Sequence, residues 1–225
     1  MSLRHLYSEI LSEKQRLVLR SLGSITNRYG FYMAGGTGVA LYLGHRISVD
    51  MDWFCADKFP EPFKLIEDLK KGNLSLKTNF FSKDTLHIEI EDVKVSFFFY
   101  PYPLVRPLVL LRDFGCHIAS LEDMGCMKLI SISQRGSKRD FFDIYAIIKG
   151  GLTLEGLLEL TKKKYGLNDV SSIVFGLTYF DDADKEPDPG LLWDIKWEQV
   201  KDGLRNITKE LLNQPFKGQI SSTLK

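Results

Sequence analysis

The segment spanning residues 31–54 constrains this chain most. It reads FYMAGGTGVALYLGHRISVDMDWF: an apolar run, a double glycine, an apolar helical stretch, and a second apolar run that carries Asp50 and Asp52. Side chains at positions i and i+2 of a strand point to the same face, so the two aspartates would present paired carboxylates. Val49 and Trp53, on either side, would face the opposite way, into a core. The segment predicts a strand–turn–helix–strand unit with an acidic pair on one face.

This unit has the residue types of a site for a metal ion and a phosphate. Paired carboxylates suit Mg²⁺, which prefers oxygen ligands and keeps substrate phosphates in its remaining positions. Gly35 and Gly36 let a phosphate approach the backbone, and the helix that begins near Thr37 offers free N–H groups. Taken alone, the glycines are more typical of a tight connection, and the aspartates would equally suit a solvated edge strand. Their combination favours nucleotide chemistry.

Length, charge and cysteine usage bound the class of protein. A chain of 225 residues is long enough for one large domain or two small ones, and its net charge of +1 neither favours nor excludes nucleic acid. Three cysteines with no zinc spacing predict buried free thiols in a reducing compartment. The amino terminus is unlike a signal peptide, and no apolar run approaches the roughly 18 residues of a membrane span. We expect a cytoplasmic protein with no membrane segment.

Hydrophobic periodicity divides the chain into two halves. Helical patterns are predicted at 5–28, 62–71, 121–134, 137–149, 153–165 and 192–213, and the stretch 181–189 (DDADKEPDP) reads as an exposed acidic loop. The fold class is therefore α+β: a mixed β-sheet core with helices, then a mainly helical half. We expect an α/β domain over residues 1–115 and a helical domain over 116–225 that completes the active site.

A β-hairpin is predicted within LHIEIEDVKVSFFFY, where apolar and polar residues alternate. Its tight turn would fall at residues 91–92. In that register Glu89 lies opposite Lys94, and His87 lies opposite Ser96, on the polar face.

The helical half carries a second group of candidate residues. Lys128 is the one cation in the middle of an apolar helix, where it either extends to solvent or points its ammonium at triphosphate oxygens. Arg139 begins the next helix against the helix dipole, which indicates another use. Asp140 occupies a capping position, so its default explanation is structural. Asp143 lies one turn further on among aromatic and apolar residues, which is not typical of an ordinary solvent-exposed carboxylate.

These patterns carry a resemblance to known families. The unit with Gly-Gly and Asp-x-Asp resembles the first motif of the DNA polymerase β-like nucleotidyltransferase superfamily. A lysine-bearing helix followed by RGSKRDFFDIYAI is similar to the distal motif of the AbiEii/AbiGii toxin family, which pairs Gly-Gly or Gly-Ser and Asp-x-Asp with Lys and Arg-Asp-x-x-Asp. The resemblance reaches from about residue 30 to about residue 205, and it implies a nucleotidyltransferase-like fold.

The resemblance assigns roles to the first motif. Asp50 and Asp52 match the pair that holds the metal ions on a nucleoside triphosphate. Gly35, Gly36 and Thr37 match the turn that receives the phosphates.

It also assigns roles to residues outside that turn and pair. Ser48 matches a position where the family often has serine, and Lys128 matches a lysine thought to contact the nucleotide. Asp143 matches the distal aspartate taken as catalytic in related toxins. Arg139 and Asp140 complete the motif with less defined roles.

One departure from the superfamily concerns a third carboxylate. Many polymerase β-like enzymes place it on a later strand, where it binds metal and deprotonates the acceptor hydroxyl, but this chain has Ser96 there. Serine cannot replace a carboxylate in either task. Asp143 or Glu89 would then be the base, and otherwise the site would bind nucleotide without turnover.

The expected function is Mg²⁺-dependent transfer of a nucleotide from a nucleoside triphosphate to an acceptor hydroxyl. The resemblance implies the toxin of a toxin–antitoxin or phage-abortive system, with an RNA acceptor such as the 3′ end of tRNA and a cognate antitoxin as partner. Alternatives are transfer to a small molecule or a protein side chain, and a degenerate binding module. The helical half also carries basic residues that would either contact an RNA backbone or form a solvated surface: Lys138, Arg139, Lys149, Lys162, Lys163 and Lys164.

Overall fold

The computed structural model describes residues 6–72 and 74–213. Within them the strands are β1 (Tyr32–Ala34), β2 (Met51–Cys55), β3 (Leu76–Ser82), β4 (Thr85–Ile90), β5 (Val93–Phe99), β6 (Val109–Leu111) and β7 (Cys116–Ile118). The α-helices are α1 (Glu13–Arg28), α2 (Gly35–Leu43), α3 (Pro62–Lys70), α4 (Leu121–Gln134), α5 (Lys138–Lys149), α6 (Leu154–Tyr165), α7 (Ser171–Gly176) and α8 (Trp197–Asn213). Short 3₁₀ turns lie at Ser8–Ile10 and Ala183–Lys185.

All seven strands form one mixed sheet in the order β3-β4-β5-β2-β1-β7-β6. β1 runs parallel to β7 and β2 runs parallel to β5, whereas the other neighbours are antiparallel. The prediction of a mixed sheet followed by helices is confirmed. Strands β3, β6 and β7 were not predicted, and β7 joins the sheet from the first residues of the expected second domain. The division after residue 115 stays a prediction.

The two faces of the sheet are covered by different helices. α1 and α3 pack on one face, against buried side chains that include Met33, Met51 and Trp53. α2 and the helical half, α4 to α8, pack on the other face, where β1 contributes Tyr32 and Ala34. Side chains of β2 therefore alternate between the α1 side and the helical half. Among the described residues, no helix has the length and apolar content to cross a bilayer.

Two helices begin later than the sequence predicts. α1 starts eight residues later because Ser12 and Gln15 form a reciprocal capping box, in which each side chain accepts from the other residue's backbone N–H. α8 starts five residues later because the chain before it is extended. There Leu191 forms a β-bridge with Arg46, and the next backbone N–H donates to the carbonyl of His45.

The predicted hairpin is confirmed in its register. β4 and β5 pair Glu89 with Lys94 and His87 with Ser96. The two turn residues have φ of 51° and 65°, as a type I′ hairpin turn requires. His87 and Ser96 consequently stand side by side on one face of the sheet.

The predicted acidic loop binds the start of α5. Ser137 precedes this helix but makes no side-chain hydrogen bond to its backbone, and Glu186 instead accepts a hydrogen bond from the backbone N–H of Lys138 at 2.9 Å. Asp184 accepts from the indole N–H of Trp197 at 2.6 Å. The loop therefore links the beginnings of α5 and α8.

Candidate active site

The predicted acidic pair lies at the start of β2, in the middle of the sheet. Asp52 points toward the helical half, while Met51 and Trp53 are fully buried on the opposite face. Asp50 immediately precedes the strand, and its side chain is 40% exposed. The prediction that Val49 faces a core is wrong: Val49 is 65% exposed because the strand begins only at Met51.

The double glycine begins α2 and packs directly against acidic and basic side chains. Gly35 has a φ of +68°, and a Cβ at this position would lie 2.5 Å from Oδ2 of Asp52. A Cβ on Gly36 would lie 2.3 Å from Nη2 of Arg46. The glycines therefore make room for these two side chains. They also place the free N–H groups of the first turn of α2 beside the Asp52 carboxylate. An anion bound to these N–H groups would be close enough to share a metal ion with that carboxylate.

Thr37 and Ser48 connect the turn to the chain around the acidic pair. The Thr37 hydroxyl is buried and donates to the backbone carbonyl of Asp50, so only its N–H is left for a phosphate. Ser48 Oγ lies 3.3 Å from the position of a Cβ on Gly36, at the mouth of the turn. Its backbone carbonyl accepts from the Gln15 side chain at 2.8 Å. A nucleotide-binding role for Thr37 and Ser48 stays a prediction.

Lys128 lies inside the protein and holds two carboxylates. Its Nζ is 2.7 Å from Oδ1 of Asp140 and 2.6 Å from Oδ2 of Asp143, and the side chain is 9% exposed. The alternative in which this lysine extends to solvent is therefore wrong. Burial lowers the pKa of Lys128, but the two carboxylates outweigh burial and raise it above its ordinary value. The ammonium stays charged.

Asp143 is fully buried, and both of its oxygens are occupied. Arg46 binds it in bidentate fashion, with Nε 2.7 Å from Oδ1 and Nη2 2.9 Å from Oδ2. His45 Nε2 lies 2.8 Å from Oδ1. Although burial acts in the opposite direction, Lys128 and Arg46 hold the pKa of Asp143 well below its ordinary value. A carboxylate with these partners is a weak proton acceptor, which is unfavourable for a general base.

Two more arginines border the site, Arg135 at the end of α4 and Arg139 in the first turn of α5. Asp140 accepts from Arg135 Nε at 3.1 Å and from the Ser137 hydroxyl at 3.2 Å, in addition to its lysine partner. Arg139 Nη1 lies 3.9 Å from Oδ2 of Asp50. The two arginine side chains are 65% and 55% exposed, so they border the site at its solvent side.

The two motifs meet in one electrostatic environment. Burial and the neighbouring Asp50 raise the pKa of Asp52, whereas Lys128 and Arg135 act to lower it. Charges from the helical half thus reach the acidic pair of the sheet. Four carboxylates and four cations converge here, namely Asp50, Asp52, Asp140, Asp143, Arg46, Lys128, Arg135 and Arg139.

The position of the third carboxylate is occupied by serine. β2 and β5 pair Asp52 with Ser96, so the serine stands directly beside the acidic pair. His87 Nδ1 is 2.9 Å from Ser96 Oγ. Glu89 lies two residue pairs further along the same two strands, opposite Lys94. A base role for Glu89 stays a prediction.

Several residues of the site were missed by sequence reasoning. His45 and Arg46 follow the glycine that ends α2, and their only signal is a His-Arg pair between two apolar segments. Arg135 is the first residue of the segment RGSKRDFFDIYAI, in which the sequence pattern assigns it no role. Each is recognisable only through its spatial partner, since Arg46 and Asp143 are 97 positions apart in the chain.

Two of the predicted basic contacts are used inside the protein. Lys138 Nζ pairs with Asp188 at 3.1 Å, and the buried Lys164 pairs with Asp123 at 2.8 Å. The expectation that these two contact an RNA backbone is wrong, because their ammonium groups are already engaged. The other four members of the group are exposed: Arg139, Lys149, Lys162 and Lys163.

An open cavity of about 260 Å³ lies against Arg135. Phe175 and Tyr179 line it, with 69% and 47% of their surfaces exposed. Their rings are nearly parallel, at 17° with centroids 6.0 Å apart. Flat exposed rings beside an arginine are suited to stack on a nucleobase.

The acidic pair fits Mg²⁺. Its donors are carboxylate oxygens, and the free N–H groups of the glycine turn lie beside it. Within the described ranges, no cluster of three or more His, Cys, Asp or Glu has the arrangement of a metal site. Mg²⁺ commonly takes one or two carboxylates and completes its shell with substrate phosphates and water, so two ligands suffice. A mixed sheet with such a pair, a glycine turn at a helix start and facing cations defines a nucleotidyltransferase.

Comparison with known proteins agrees with this class. Residues 17–216 match the nucleotidyl transferase AbiEii toxin family, Type IV toxin–antitoxin system, and the chain belongs to that family. The uncharacterized protein aq_aa25 of Aquifex aeolicus (strain VF5) is 38% identical over 206 residues, covering 90% of this chain and 98% of that protein.

Two solved structures share the fold. MenT4, a nucleotidyltransferase toxin from Mycobacterium tuberculosis H37Rv, matches with a TM-score of 0.61 and 16% identity, over 90% of this chain and 82% of that one. JHP933 from Helicobacter pylori matches with a TM-score of 0.52 and 17% identity, over 92% and 95%. The protein is thus an enzyme of the nucleotidyltransferase class.

Proposed function

We propose that this nucleotidyltransferase is a Mg²⁺-dependent toxin that transfers a nucleoside monophosphate from a nucleoside triphosphate to the 3′-terminal hydroxyl of an RNA, such as tRNA. The observation that carries the proposal is the acidic pair Asp50 and Asp52 beside the glycine turn, faced by cations of the helical half. A cognate antitoxin would restrain the activity, in keeping with the family to which the chain belongs.

Asp50 and Asp52 would hold the Mg²⁺, which supplies charge neutralisation on the triphosphate as the phosphoryl group is transferred. The N–H groups of Gly35 and Gly36 would donate to phosphate oxygens, since they lie beside Asp52 at the positive end of α2. Arg139 is half-exposed next to Asp50 and would bind a phosphate that reaches the same metal ion.

Lys128 and Asp143 would act together. The lysine would orient the triphosphate through its charge, because its ammonium is fixed by two carboxylates and acts on Asp52. Asp143 is proposed to position Lys128 and Arg46 rather than to remove a proton, since both of its oxygens are taken and its pKa is low. Its loss would abolish activity by releasing these two cations.

An RNA acceptor is favoured over a small molecule by the cavity at Arg135. The exposed parallel rings of Phe175 and Tyr179 provide a stacking surface for a terminal nucleobase, and Arg135 and Arg139 provide charge for its phosphates. Binding of such an acceptor should weaken steeply as salt rises, which would not hold for a small neutral acceptor.

The test is transfer of label in a defined mixture. The protein is incubated with Mg²⁺, each α-labelled nucleoside triphosphate in turn, and total cellular RNA, and the products are separated by size. Label in tRNA-sized species, lost on addition of EDTA, is the expected result. Label in no species with any nucleotide would overturn the proposal. Label in small molecules or protein would reassign the acceptor.

Two variants calibrate this test. Asp52→Asn removes one carboxylate of the pair and should abolish labelling. Glu67→Gln removes a carboxylate that is 71% exposed on α3, on the opposite face of the sheet, and should leave labelling unchanged. Induced expression of the native chain should arrest growth of a host lacking the antitoxin, whereas the Asp52→Asn chain should not.

A further inference from the structure

A row of residues crosses the sheet at the active site. In register, Ala34 of β1 pairs with Asp52 of β2, Asp52 pairs with Ser96 of β5, and Ser96 pairs with His87 of β4. Directly paired residues of neighbouring strands point to the same face of a sheet, so Asp52, Ser96 and His87 share the face that carries the acidic pair. The histidine thus stands next to the position where a third carboxylate would be expected.

The His87 ring is held in one orientation. Its Nδ1 is hydrogen-bonded to Ser96 Oγ at 2.9 Å. The ring packs edge-on against Phe98, with 5.5 Å between centroids, and in a tilted arrangement against Phe80, with 5.8 Å between centroids. Across residues 6–72 and 74–213, Nε2 has no hydrogen-bonding protein partner, and the side chain is partly exposed. One nitrogen is fixed, and the other remains available to a ligand.

The other candidates for the base are less suitable. Ser96 has no ionisable group in the neutral range. Asp143 is fully buried with both oxygens occupied by cations. Glu89 lies opposite Lys94, two residue pairs along the strands from the row that contains Asp52. His87 lies within that row and has a ring nitrogen without a protein partner among the described residues.

We propose that His87 is the general base of nucleotidyl transfer and that Ser96 is its positioning partner, so that the pair replaces the missing third carboxylate. This rests on the proposed function. In the proposed tautomer, Nδ1–H donates to Ser96 Oγ, and Nε2 carries the lone pair. Neighbouring strands lie about 4.8 Å apart, so the histidine backbone is about 10 Å from that of Asp52, and an acceptor hydroxyl above Ser96 lies between the two side chains.

The step balances without another reactant. The acceptor oxygen forms a bond to the α-phosphorus of the nucleoside triphosphate, and the bond from that phosphorus to the bridging oxygen of pyrophosphate breaks. Pyrophosphate leaves with the electron pair of that bond. The proton of the acceptor hydroxyl passes to Nε2 of His87, and the imidazolium then returns it to solvent.

The first test compares substitutions at His87 under single-turnover conditions with saturating nucleotide. His87→Ala and His87→Gln should each slow transfer about 10²–10⁴-fold, the usual contribution of a general base. Glutamine can still hydrogen-bond Ser96, so if His87 were only structural, the His87→Gln protein would keep a transfer rate near that of the native protein. Nucleotide affinity, measured by calorimetry, should stay within threefold of native. His117→Ala is the matched control and should remain active. It removes a histidine of β7 that is hydrogen-bonded to the Asn27 side chain.

The second test restores the carboxylate. Ser96→Asp in the His87→Ala background should transfer at least tenfold faster than His87→Ala alone, because a carboxylate beside Asp52 then accepts the proton. Nitrogen-15 NMR of the four histidines supplies a readout independent of activity. The His87 signals, assigned through His87→Gln, should report a protonated Nδ1, and Ser96→Ala should shift that resonance.

The outcomes separate this inference from the proposed function. A native protein that labels no acceptor refutes the proposed function itself. A native protein that is active while His87→Ala transfers within threefold of its rate refutes the role of His87 alone. A protonated Nε2 and an unprotonated Nδ1 in the native protein would also refute it, because no lone pair would face the acceptor.

Discussion

Replacing Asp143 by asparagine should destabilise the protein while leaving its shape almost unchanged. The substitution is isosteric, but it removes the charge that holds two buried cations. Arg46 loses its bidentate partner, and Lys128 keeps only Asp140. An amide also presents an N–H group to one of these donors, so at least one buried hydrogen bond is replaced by repulsion.

The magnitude follows from the burial of the group. Asp143 is 0% exposed and its cationic partners are below 10%, so water cannot replace the lost charge. Breaking a buried ion pair by removing one partner costs about 3–5 kcal/mol. For a chain of this size each kcal/mol lowers the unfolding temperature by about 2–4 °C, which gives a decrease of about 6–20 °C.

The pH dependence supplies a second signature. The folded pKa of Asp143 lies well below that of the unfolded carboxyl because Lys128 and Arg46 outweigh burial. Its contribution to stability is therefore fully present above the unfolded pKa of about 3.9 and is lost as the pH falls through the folded value. The difference in free energy of unfolding between native and Asp143→Asn should be largest near pH 7 and should shrink below about pH 4.

The assay is urea unfolding followed by circular dichroism between pH 3 and pH 7. Asp50→Asn is the control, because Asp50 is 40% exposed and its salt-bridge partner, Arg139, lies at 3.9 Å, so its loss should cost at most about 1 kcal/mol. Adding Lys128→Met to Asp143→Asn should recover part of the lost stability, since a buried unpaired ammonium disappears. An Asp143→Asn protein within 1 kcal/mol of native at pH 7 would refute the reasoning.

Three further predictions concern the turn, the acidic pair and the thiols. Burial raises the pKa of Asp52 in the folded protein, so the free energy of unfolding falls as the pH rises from the unfolded pKa of this carboxyl to its folded pKa. Asp52→Asn should therefore raise the unfolding temperature in metal-free buffer at pH 7, and a lower unfolding temperature in calorimetry would contradict this. Gly35→Ala should cost about 1–2 kcal/mol for its positive φ and should abolish transfer because the new Cβ displaces the Asp52 carboxylate, outcomes checked by denaturant unfolding and by labelling. Burial raises the pKa of Cys55 and Cys116 to about 12 and of Cys126 to about 11, so a disulfide reagent at pH 8 should label no thiol in the native state and three after unfolding, and rapid labelling of the native protein would show otherwise.

Local patterns were sufficient for those parts of the fold that depend on neighbours in the sequence. The hairpin register follows from strict alternation and a turn that tolerates positive φ, and α4 follows from its cap at Ser120, which accepts from the backbone N–H of Asp123. The acidic pair was predictable because two aspartates at i and i+2 must share a face of any strand that contains them.

The ion cluster under the site was beyond local reasoning. Arg46 reaches Asp143 across the interface between α2 and α5, and nothing near either residue identifies its partner. The sequence of its own helix leaves open whether the charge of Lys128 faces solvent or nucleotide. In the structure, Asp140 and Asp143 of the next helix hold its ammonium inside the protein. Strands of three residues such as β6 and β7 have too few positions for alternation to be recognised.

The glutamate that caps α5 has a consequence for how natural variation should be read. Glu186 accepts a hydrogen bond from the backbone N–H of Lys138, the first residue of α5, and lies 48 positions further along the chain than this lysine. Insertions or deletions in that surface loop would shift the first turn of the helix and, with it, the reach of Arg139 toward the polyphosphate. Related chains that differ only in the length of this loop are therefore expected to differ in turnover while keeping every catalytic side chain.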